Sequence, residues 1–103
     1  MMPKYVFAYH GGKAPESPEE GTEVMAKWNA WFETMGGAVV DGGNPVGPSK
    51  TVSADGVADN GGANPLSGYS IVQADTMDAA VEMAKGCPIM GHGSVEVAEA
   101  MDM

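Results

Sequence analysis

The segment YVFAY, Tyr5 to Tyr9, constrains this chain more than any other. Side chains alternate along a strand, and here both alternations are apolar, with Tyr5, Phe7 and Tyr9 on one face and Val6 and Ala8, then His10, on the other. Such a strand belongs in a sheet that meets little water on either side. The pattern places this first strand at about Lys4 to Tyr9, and His10 ends it where Gly11 and Gly12 let the backbone leave the sheet in a tight turn.

A helix start follows at SPEE. Ser17 can cap, Pro18 suits the first helical position and Glu20 completes a capping box. Val24, Met25, Trp28, Trp31, Phe32 and Met35 then recur as one inward stripe, and Gly36 and Gly37 supply the stop. A second strand is read at about Ala38 to Asp41. The glycine- and proline-rich run Gly42 to Leu66 cannot hold a ladder, apart from a short hairpin at Thr51 to Ala58 that turns at the Asp55-Gly56 pair. GYSIVQA makes the third strand. Asp75 or Thr76 caps a second helix through about Lys85, with Met77, Ala80, Val81 and Ala84 inward and Gly86 as its stop. GSVEV is the fourth strand, and the tail EAMDM either frays or packs on a partner.

The order β-α-β, insertion, β-α-β is the split βαβ pattern of a ferredoxin-like α+β domain. It predicts a four-stranded antiparallel sheet with two helices on one face and a loop and hairpin inserted between halves. The 103 residues make one domain, residues 1–103, large enough for one ordinary core. A hydrophobic share of 44% with only 18% charged residues excludes a disordered chain. The sheet face away from the helices needs a cover, and a second copy would supply it, so the expected assembly is a homodimer. A net charge of −9 argues against nucleic acid and membrane surfaces. No run is long and apolar enough for a membrane span, no signal-peptide pattern opens the chain, and the lone Cys87 fits a reducing compartment, so the expected location is cytoplasmic.

With the first strand running up, the topology gathers His10, Asp41, the Gly42 to Leu66 run, Ser67, Cys87 and His92 at one end of the sheet. His10 beside Asp41 would form an acid/base pair, since a carboxylate fixes the tautomer of a histidine that titrates near neutrality. The alternative is a histidine bonded to a loop carbonyl and an aspartate that caps the DGG turn. Ser67 and Tyr69 begin the third strand at the same mouth and could orient a ligand, as could His92, although turn and core roles serve them equally. Cys87 reads better as a small buried hydrophobe than as a nucleophile. The two histidines and the scattered carboxylates have no metal-ligand spacing and the glycines form no phosphate loop, so neither metal nor cofactor is expected.

YVFAYH, the DGG after the tryptophan-bearing helix, GYSIV, DTMDAAVEMAKGCP and GSVEV together resemble the YCII-related proteins, in particular the DGPF-like branch. The likeness covers nearly the whole chain, although VADNGGANP stands where the four residues naming that branch would lie. The resemblance implies a ferredoxin-like fold, a homodimer that forms an α/β barrel, and a cleft where His10 and Asp41 correspond to a His/Asp pair. Two functions are therefore expected in competition: a cofactor-independent acid/base enzyme, of lyase or isomerase type, acting on a small organic molecule, and a non-catalytic dimer that binds a metabolite or regulates.

Overall fold

The computed structural model describes residues 2–12 and 14–102. Its elements run β1 (Lys4–Gly11), α1 (Pro18–Met35), a single 3-10 turn (Gly36–Ala38), β2 (Val39–Asp41), β3 (Thr51–Ser53), β4 (Gly56–Ala58), β5 (Leu66–Gln73), α2 (Met77–Ala84) and β6 (Gly93–Ala100). Four strands form one sheet in the order β2-β5-β1-β6, every neighbouring pair antiparallel, while β3 and β4 pair only with each other. This is an α+β arrangement compatible with a ferredoxin-like fold.

The helix ends follow the residues that predict them. Ser17 Oγ accepts from the Glu20 amide at 3.1 Å, and Gly36, at φ 55°, turns its N–H back to the Phe32 carbonyl. Thr76 rather than Asp75 caps α2, accepting from the Ala79 amide. Gly86 is not a left-handed stop, since α2 ends at Ala84 with Lys85 still in the right-handed region. Its lack of a side chain serves packing instead, because a Cβ there would lie 3.3 Å from the Trp31 ring. Trp31 in turn donates its indole N–H to the Met83 carbonyl at 3.0 Å and ties the two helices together.

Tyr5, Phe7 and Tyr9 of β1 face the helices and form the core with Val72, Trp31, Ala80 and Ala84. Phe7 and Val72 are fully buried, each worth about 1.5–3 kcal/mol of transfer free energy. Two residues of the predicted stripes stand apart from this core, since Met25 is 60% exposed and Met77 is 41% exposed. The other sheet face carries Lys4, Val6, Ala8 and His10, which register opposite Gln73, Ile71, Tyr69 and Leu66 on β5 and Ala100, Ala98, Glu96 and Ser94 on β6. Among the described residues no helix lies on that face. The final strand runs on to Ala100, opposite Lys4, so the tail is not frayed up to that point.

Candidate functional site

A cavity of about 740 Å³ opens where the top of the sheet meets α1. Tyr9, Trp28 and Phe32 give it an aromatic wall. The Tyr9 and Trp28 rings meet edge to face at 5.0 Å, and Trp28 and Phe32 lie tilted at 6.1 Å. Gly42 to Pro45 form its floor, Pro88 and Ile89 close the opposite side, and Asn29, Ser67 and His92 bring polar groups to it. Its mouth at His92 and Pro88 continues into a cleft bordered by Glu19, Glu23 and Lys27 of α1.

The floor is held from beneath by a buried relay. The Tyr9 hydroxyl donates to Ser70 Oγ at 2.7 Å, and Ser70 donates to the Gly42 carbonyl at 2.7 Å. Burial pushes the Tyr9 phenol up to about 12, so it is a fixed donor near neutrality. Gly43 follows at φ 71°, and a Cβ there would collide with the Tyr69 carbonyl, so only glycine lets the floor lie this close to β5.

The structure places His10 and Asp41 in separate surroundings. His10 lies on the helix-free face, and β1 does not end there but continues to Gly11 opposite Gly93. Its Nδ1 is 3.0 Å from the Asn64 carbonyl and its Nε2 is 3.1 Å from Glu96 Oε1. The carboxylate beside this ring is thus Glu96, its cross-strand neighbour on β6, not Asp41. Asp41 Oδ1 instead accepts from the Gly43 amide at 2.8 Å, which is the turn-capping role that the DGG sequence also allows. β5 lies between the strands that carry His10 and Asp41. Ser67 and His92 do meet at the cavity, whereas Tyr69 sits opposite Ala8 on the far face. Cys87 is buried, and burial pushes its thiol up to about 11.

No model of a known protein family matches the chain, and a search of curated proteins finds no match. The residues of the sheet end therefore carry the functional reading by themselves. Among the described residues no group of three or more His, Cys, Asp or Glu could hold a metal ion, and no helix is long and apolar enough to cross a membrane. What the cavity offers chemically is apolar burial for one small molecule, a side-chain amide and a hydroxyl for orientation, and one imidazole at its edge. Sequence reasoning missed Tyr9, Ser70, Trp28 and Phe32 as site residues. The available signal was Ser70, a hydroxyl at an inward position of the otherwise apolar YSIV.

Proposed function

We propose that this chain is a homodimeric binding module that holds one small organic molecule, with a ring or compact apolar body, in the cavity between α1 and the top of the sheet. The observation that carries this reading is the aromatic wall of Tyr9, Trp28 and Phe32 around an open volume of about 740 Å³, which falls within the usual range of about 300–1,000 Å³ for ligand sites. His10 supports binding over catalysis, since it lies on the helix-free face beside the Asn64 carbonyl and the Glu96 carboxylate and is not among the residues that line the cavity. The dimeric half of the reading rests on the helix-free sheet face and on the resemblance to YCII-related proteins.

Acid/base turnover of the bound molecule, of the lyase or isomerase kind, is the second reading. The observation in its favour is His92, an imidazole at the cavity edge. His10 and Asp41 lie on strands separated by β5, each beside a different partner, and so lend this second reading no support.

The test is a titration with 2-phenylethanol, a neutral ring bearing one hydroxyl, followed by NMR. The Trp28 indole and Asn29 amide signals should move while those of Trp31 and His10 stay. Phe32→Ala should weaken binding about tenfold, as loss of one aromatic wall implies. Shifts confined to the His10 and Tyr69 face, or none at all, would overturn the reading.

A further inference from the structure

The hairpin β3–β4 belongs to neither layer of the domain. Every residue from Thr51 to Ala58 is exposed, and the directly paired Val52 and Val57 are 76% and 62% exposed. Its root is nonetheless firmly built. Lys50 meets Asp59 at 3.2 Å across it, Thr51 Oγ1 donates to the Asn60 carbonyl at 2.7 Å, and the returning limb is held against β1 through the bond between Asn64 and His10. A two-stranded hairpin on its own is marginal in water, so an ordered arm that presents two valines to solvent calls for a surface to lie on.

The helix-free sheet face supplies the reason to choose that surface. Three strands of eight residues and one of three, at roughly 3.4 Å per residue and roughly 4.8 Å between strands, give this face only about 440 Å² per copy, short of the roughly 800 Å² per partner of a stable interface. The face carries little net charge, with Lys4 against Glu96 and Asp41, in a chain of net charge −9. A basic partner would be drawn to the acidic surfaces, whereas a second copy can approach only through a face like this one. Chain dimensions of 44 × 40 × 20 Å give a slab one sheet and one helix layer thick, so the arm runs out in the plane of the slab. His10, which anchors the arm's root, lies on the same helix-free face.

We propose that the Thr51–Ala58 hairpin is an arm that closes over a second copy of this chain, burying Val52 and Val57 at the end of the partner's sheet when two sheets meet face to face. This rests on the dimeric reading above and adds the element that brings the interface to a stable size. By twofold symmetry each copy gives one arm and receives one.

Sedimentation equilibrium on the full chain tests the arm. Val52→Asp with Val57→Asp changes only exposed positions and should weaken the dimer about tenfold or more, as loss of two buried valines implies. Replacing residues 51–58 by two glycines across the Lys50 and Asp59 root should do the same, with circular dichroism of α1 and α2 unchanged. In the unaltered protein, amide exchange across Thr51–Ala58 should slow as concentration rises through the dimer constant. Dimer constants equal to wild type, or exchange indifferent to concentration, overturn the arm while the dimer stands. A wild-type chain that stays monomeric overturns both.

Discussion

At the scale of single residues, burial decides which titratable groups can act. His10 lies between two acceptors, the Asn64 carbonyl and the Glu96 carboxylate, and whichever one its N–H reaches, the ring sits as a fastener where β1 meets β6 and the loop. Cys87 and Tyr9 are acids whose neutral forms burial favours, to about 11 and about 12. For an acid raised on folding, the unfolded chain releases its proton first as pH climbs. The stability these two groups contribute should therefore be constant below about 9, fall between about 9 and 11 as unfolded Cys87 ionises, and fall again towards about 12 as Tyr9 joins, by on the order of 2 kcal/mol per group. Urea midpoints measured across this range should show the decline, and Cys87→Ala should remove its first part. A profile identical in that variant would mean the thiol is not protected. Cys87 should also resist iodoacetamide in the folded protein near neutral pH.

At the scale of elements, local chemistry was legible wherever it acts within a few residues. The Ser17 cap, the Gly36 stop and the Thr76 cap all depend on neighbours in sequence, and each stands where the residues predict it or as one of the residues they allow; the hairpin also forms over Thr51 to Ala58, but it turns one residue earlier than the Asp55-Gly56 pair suggests, at Ala54 and Asp55, with Gly56 opening β4 opposite Ser53. Ser17→Ala should accordingly cost about 1 kcal/mol of stability, read from the urea midpoint, because the Glu20 amide loses its acceptor. An unchanged midpoint would mean that water replaces the hydroxyl without loss. What failed was the reach of β1. Two glycines after His10 read as a stop, yet Gly11 pairs with Gly93 because β6 runs alongside, and that register is a tertiary fact. The same ignorance of register hid Glu96 behind His10, since the two are 86 residues apart. The cavity was hidden for a different reason: Trp28 and Phe32 sit at core spacing, and spacing alone does not separate a residue that fills a core from one that lines a gap in it.

At the scale of the whole molecule, the order of elements was enough to suggest the antiparallel sheet, its two helices and its bare face, because few topologies suit βαββαβ. It was not enough to say how the bare face is covered. Charge gives a way to ask. Each copy carries −9, so two copies that meet bring together like charges spread over their remaining surfaces, while the proposed interface itself holds little charge to offset them. Raising ionic strength shortens the screening length from about 10 Å at 0.1 M to about 3 Å at 1 M, which relieves that repulsion, and added salt also favours burial of valine and isoleucine surface when the anion is sulfate. Association should therefore tighten as sodium chloride rises from low to moderate concentration, and tighten further in sodium sulfate at equal ionic strength. Sedimentation equilibrium gives both constants. An interface built from ion pairs between copies would weaken in salt instead, and that result would remove the sheet face and its arm as the surface through which two copies meet.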